Sequence, residues 1–173
     1  MTGRALVVVD MLRDFVEEGG ALDCGPAARE ILPRVAQELA RARREGDLVI
    51  YLADHHRPDD PEFAMFPPHC IAGTRGAQVV DDLAPQVGEW LIPKRRYSGF
   101  FATQLDLVLR EAGVRELTLT GVCSNICVLY TAADARNRGY AVRVVREGVA
   151  SFDPEAHRFA LGELERTLGA TLV

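Results

Sequence analysis

Long hydrophobic runs are what this sequence lacks most plainly. No apolar stretch approaches the roughly 20 residues needed for a helix to span a bilayer, so no membrane partner is expected. Met1-Thr2-Gly3-Arg4 leads straight into a strand-like segment that stops at Asp10. That segment is too short and too soon interrupted for a signal peptide, and a cytoplasmic location is the expectation. Basic charge is scarce: 20 Lys and Arg against 25 Asp and Glu leave a formal net charge of -5, which argues against a nucleic-acid partner. Of the two dense basic runs, Arg41, Arg43 and Arg44 lie on a predicted helix as a solvated face, and Lys94, Arg95 and Arg96 follow a predicted strand. Cysteine is limited to Cys24, Cys70, Cys123 and Cys127, without CxxC spacing. In a chain with no export signal these read as reduced thiols, buried or reactive, rather than a disulfide framework. Repeats, low-complexity segments and linkers are absent too. The 173 residues, 48% apolar and 26% charged, therefore suit a single domain over 1–173 with a real core.

What is present is alternation. Ala5 to Val9 is a continuous β-branched and aliphatic run, as expected of a strand buried on both faces. Apolar residues at three- and four-residue steps predict a helix over 26–45, interrupted by Pro33 and stopped by Gly46. Strands are predicted over 48–53, 89–92, 117–121, 141–145 and 171–173, and helices over 102–112, 125–138 and 154–168. In the last helix Phe159, Leu161, Leu164 and Leu168 read as core, and His157 as a structural partner. Such alternation implies an α/β fold: a three-layer, Rossmann-like open sheet of about six mostly parallel strands, with helices on both faces. Ligands in such sheets bind beyond the carboxyl ends of the strands.

The strand ends carry the chemistry. Asp10 closes the first run, and a carboxylate there must be paired or functional; Lys94, after the third strand, is a candidate partner. Cys127 lies in Gly121-Val122-Cys123-Ser124-Asn125-Ile126-Cys127, a strand-to-helix turn. The helix dipole there stabilises a thiolate, and unpaired amides can face an oxyanion, although a buried cysteine can equally be inert packing. Cys123 reads as a packing residue. Asp54 and His56 are two apart in an extended segment, so their side chains share a side and His55 turns away. The long irregular stretch that follows adds Glu62 and His69. Two carboxylates and two imidazoles suit Zn²⁺, Mn²⁺ or Fe²⁺; a polar surface loop is the other reading.

Four segments in order resemble the nicotinamidase branch of the isochorismatase-like cysteine hydrolases. They are Val8-Val9-Asp10-Met11-Leu12-Arg13-Asp14-Phe15, the run from Phe66-Pro67-Pro68-His69-Cys70 to Ala77, Lys94 to Phe100, and Gly121 to Val128. The resemblance implies one isochorismatase-like hydrolase domain and a triad of Asp10, Lys94 and Cys127 that attacks a carboxamide through a thioester. It further implies an oxyanion hole from the backbone amides of Cys123 and Cys127, with a cis peptide between Val122 and Cys123. One divalent metal, zinc before manganese or iron, would be held by Asp54, His56, Glu62 and His69 and would bind a pyridine nitrogen. The commonest pattern has a third histidine between His56 and His69; this chain has Glu62 instead, as in some bacterial nicotinamidases. Phe15, Phe66 and Tyr97 match ring-pocket positions, Phe66 replacing a more usual tryptophan. The implied substrate is nicotinamide, converted to nicotinate and ammonia in NAD salvage, by a homodimer or larger homo-oligomer.

Other readings stay in view. A ureidoacrylate or N-carbamoyl amide hydrolase of the same superfamily is the nearest rival, although such relatives generally lack the metal loop. Isochorismate hydrolysis needs no nucleophilic cysteine. A binding protein would not need the full triad, and a thiol redox protein would have to use Cys123 and Cys127 without CxxC spacing.

Overall fold

The computed structural model describes residues 3–173; Met1 and Thr2, which open the segment read above for an export signal, lie outside the described residues. Among the described residues six strands form one sheet: β1 Arg4–Val9, β2 Leu48–Asp54, β3 Trp90–Lys94, β4 Glu116–Val122, β5 Ala141–Ala150 and β6 Thr171–Leu172. Their spatial order is β3-β2-β1-β4-β5-β6, and every neighbouring pair is parallel. The apolar run of β1 is central and buried on both faces because its side chains alternate. Val7 and Val9 join one core with Ile50, Leu52, Leu117 and Leu119, while Leu6 and Val8 join the other with Val49 and Tyr51.

Helices α1 Arg13–Val16, α2 Pro26–Glu30 and α3 Leu32–Glu45 bury Phe15, Ala28, Val35 and Leu39 in the second core. Helices α4 Leu105–Glu111, α5 Leu129–Asn137 and α6 Pro154–Arg166 bury Leu109, Ala132 and Leu164 in the first. The three-layer α/β expectation holds, with all strands parallel. No helix among the described residues is long and apolar enough to cross a membrane.

Several boundaries moved for physical reasons. The single helix expected over 26–45 is two, broken at Ile31, with Pro33 in the first turn of α3 where its missing N–H costs nothing. The helix expected from 102 begins at Leu105, since Ala102 has φ 53°. The helix expected from 125 opens with a π-turn over Ser124–Val128 before α5. The strand expected to stop at Val145 continues to Ala150, past an irregularity in its pairing with β4. Phe159, expected in the core, is 64% exposed, whereas Leu161 and Leu164 are buried as expected. Ala160, Leu161 and Leu164 form the buried face of α6, and Phe159 falls off it beside exposed Arg158.

From β1 the chain winds outward to β2 and β3, then returns to lay β4 on the other side of β1. The crevice for a ligand opens where that order reverses, at the carboxyl ends of β1 and β4. Gly121 makes the close approach possible: it has φ 108°, and a Cβ there would come within 2.0 Å of the Val9 carbonyl oxygen.

Candidate active site

Asp10 leaves β1 with φ 50°, a left-handed conformation that side chains other than glycine seldom adopt and that recurs at functional sites. Its amide donates to the Leu52 carbonyl at 2.9 Å, and its Oδ1 accepts the Asp54 amide at 2.9 Å. Its other oxygen, Oδ2, is 2.7 Å from Lys94 Nζ in a buried ion pair. Lys94, the last residue of β3, is 2% exposed. Its Nζ also donates to Asp54 Oδ1 at 2.6 Å and to Cys127 Sγ at 3.3 Å.

Burial dominates the electrostatics here. It raises Asp10 to about 6, with help from the Asp54 charge and against the pull of Lys94. Burial alone would lower Lys94, but the charges of Asp10 and Asp54 outweigh it and hold the ammonium well above its usual range. Burial lifts the Cys127 thiol, with Lys94 opposing. The resting pocket thus holds a neutral thiol beside a lysine cation and a carboxylate whose affinity for a proton is enhanced.

Cys127 sits in the π-turn after β4. The Cys123 carbonyl accepts the amides of Ile126 at 3.0 Å and Val128 at 3.2 Å, passing over the Cys127 amide between them. The Val122–Cys123 peptide is cis. Ser124 is buried and bonded to His157 Nδ1 at 2.8 Å, so His157 ties α6 to this turn, the structural role expected of it.

The second cluster lies on the far side of Asp54. Asp54 Oδ2 faces His56 Nε2 at 3.6 Å and His69 Nε2 at 3.9 Å. The ligand atoms of Asp54, His56 and His69 all lie within 4.8 Å of one another. These spacings are too long for hydrogen bonds and suit three donors around one ion. His56 Nε2 is buried without a hydrogen-bond partner, the vacancy in bonding that a cation fills. Each ring is fixed from behind, His56 Nδ1 by Asp60 Oδ2 at 3.1 Å and His69 Nδ1 by the Pro67 carbonyl at 2.8 Å. Burial works against charge on His56, yet Asp54 and the nearby carboxylates outweigh it and raise its pKa. Burial lowers His69 and raises Glu62. A site built of acidic and imidazole donors, with one orphaned nitrogen, fits a divalent cation. Glu62 is buried but groups with His56 and Asp60 rather than with the Asp54–His56–His69 set. His55 is exposed and turned away, as its alternation required.

Both clusters open into one cleft. Phe15, Phe66 and Tyr97 line it with Asp10, Asp54, Glu62, His69 and Cys127. Sequence reasoning missed Leu22, Cys24 and Phe152, which complete the walls from loops with no motif of their own. It also missed Asp60, and Phe63, whose ring lies 5.4 Å from that of His56 and 5.7 Å from that of His69. Asp14 is a further brace: its Oδ2 accepts the Cys70 amide at 2.7 Å, and a Cβ on Gly76 would strike its carboxylate.

Residues 4–173 match the isochorismatase domain family. The chain belongs to that family. Among solved structures, the nicotinamidase/pyrazinamidase of Bacillus subtilis is 39% identical with a TM-score of 0.94, the match covering 98% of each chain. The pyrazinamidase of Pyrococcus horikoshii, solved in complex with zinc, is 33% identical with a TM-score of 0.92, covering 99% of this chain and 98% of that one. A ureidoacrylate amidohydrolase of Stutzerimonas stutzeri is 35% identical over 95% of this chain and 77% of its own length. This isochorismatase-family chain therefore has relatives named for two kinds of amide substrate.

Proposed function

We propose that the protein is a nicotinamidase, a cysteine-dependent amidohydrolase that converts nicotinamide to nicotinate and ammonia with a bound divalent metal, zinc first. The observation that carries this reading is Asp54. One of its oxygens holds Lys94 beside Cys127 and the other faces His56 and His69, so nucleophile and metal cluster share a carboxylate in one cleft. A ureido or N-carbamoyl substrate, the second reading, leaves that buried donor set without a task. The relatives named for nicotinamide and pyrazinamide support the first reading.

Cys127 Sγ attacks the carboxamide carbon as its proton passes to Asp10, whose carboxylate lies within 4.8 Å of the thiol. Lys94, within reach of both, stabilises the charge exchanged between them. The amides of Cys123 and Cys127 receive the oxyanion. Asp10 returns its proton to the departing ammonia, then draws one from the water that hydrolyses the thioester and passes it to the departing Cys127 sulfur as the acid is released. Phe15, Phe66 and Tyr97 hold the ring and exclude water. Asp54, His56 and His69, with Glu62 nearby, would hold the divalent cation, which would supply a Lewis-acid anchor for the pyridine nitrogen.

The test is ammonia release from nicotinamide and from ureidoacrylate, before and after chelation, beside Cys127→Ala. The expected result is turnover of nicotinamide that needs metal and falls by roughly 10⁴-fold or more without the thiol. Nicotinamide left intact by metal-loaded protein, with ureidoacrylate consumed, selects the second reading.

A further inference from the structure

The mechanism uses Cys127 and leaves two other thiols at the same cleft without a task. Cys24 and Cys123 are 99 positions apart in sequence, yet their sulfurs lie 3.4 Å apart, both side chains are buried, and both line the cavity. A disulfide has its sulfurs about 2.0 Å apart, so closure needs an approach of only about 1.4 Å. The sequence left Cys127 as the redox partner for Cys123; the contact is with Cys24 instead.

We propose that Cys24 and Cys123 form a peroxide-reactive dithiol that closes to a disulfide in the wall of the active-site cleft. The cavity gives a molecule as small as hydrogen peroxide a route to both sulfurs. The contact with Cys24 and burial raise the Cys123 thiol, and in this proposal Cys24, carried on the loop between α1 and α2, attacks first. Its sulfur bonds to one peroxide oxygen as the O–O bond breaks, and the hydroxide released takes up the thiol proton as water. Cys123 then attacks the resulting sulfenic acid, the S–S bond forms as the S–O bond breaks, and a second water leaves. Two thiols are oxidised by two electrons in total, and one peroxide is reduced to two waters.

The bond would link two working parts of the cleft. The Cys24 amide donates to the Phe15 carbonyl at 2.9 Å, so closure draws on the backbone of a ring-lining residue. Cys123 opens the turn that carries Cys127, and its own amide belongs to the proposed oxyanion hole. Any effect on turnover rests on the nicotinamidase reading; the disulfide itself does not.

The experiment therefore reads mass first. Cys127→Ala protein is treated with hydrogen peroxide, alkylated under denaturing conditions and digested. The expected product has lost two hydrogens and gives one disulfide-linked peptide pair containing Cys24 and Cys123, restored by dithiothreitol and absent in the Cys24→Ser, Cys127→Ala double variant. Full alkylation of Cys24 and Cys123 after peroxide, a link that uses Cys70, or accumulation of sulfinic acid on either residue overturns the proposal. In wild-type protein the same link is expected to lower nicotinamide turnover at least tenfold, reversibly. The link forming in a protein that never hydrolyses nicotinamide sinks the functional reading and leaves the dithiol standing.

Discussion

The two rims of the sheet use ion pairs in opposite ways. At the amino-terminal rim, Arg41 bonds Glu38, Glu45 and Asp47, and Arg4 meets Glu45 and Asp47, with the arginine side chains 30–40% exposed. At the carboxyl-terminal rim, Lys94 meets Asp10 and Asp54 with all three side chains 7% exposed or less. The arginine ends reach water, and Glu38 and Asp47, though buried, each have two arginine partners, so the first network ties α3 to the sheet edge at little gain. Burying three charges is expensive, and a fold that does so gains reactivity instead: a base, a cation and a thiol held within reach of one another.

That contrast can be broken from the buried side first. In metal-free protein Lys94→Met leaves Asp10 and Asp54 buried together without a cation, and a loss of about 3–5 kcal/mol of stability is expected. Urea denaturation would check it, and turnover should vanish in the same variant; unchanged stability would mean that the carboxylates had found water. Next in size is Asp60→Ala, which frees the His56 ring. Metal affinity by calorimetry should weaken roughly 10–100-fold while the fold persists.

The acid limb of the pH profile is smaller still. Asp10 acts as a base only when ionised, and burial raises its pKa to about 6. As pH falls through that value the carboxylate is protonated, and kcat/KM should drop about tenfold for each further pH unit. A limb set by an unshifted carboxylate near 4 would show that the site is wetter than its burial indicates. The smallest effect belongs to the other rim: Arg41→Ala should cost no more than about 1 kcal/mol, less in high salt, and leave turnover unchanged.

The sequence made the layers and the strand-end residues legible for one physical reason. Alternating apolar periods fix which elements face the core, and parallel topology brings the strand ends to one rim. Asp10, Lys94 and Asp54 were readable because a charge that ends an apolar run is costly unless it is used. Asp60, Phe63, Leu22 and Phe152 were not, because they act through loop conformations that no period encodes. The contact of Cys24 with Cys123 was invisible for the same reason: it joins an irregular loop to a strand end across 99 positions. Phe159 misled because an apolar residue at roughly helical spacing was counted toward the buried face.

The central claim is that the metal cluster and the thiol act on one substrate, the ring nitrogen at one and the carboxamide at the other. Steady-state turnover of nicotinamide beside benzamide, which lacks that nitrogen, tests it most directly. The account predicts a preference for nicotinamide of at least roughly 10²-fold in kcat/KM for metal-loaded protein, lost when the metal is removed. Equal rates for the two amides, with or without metal, would contradict it.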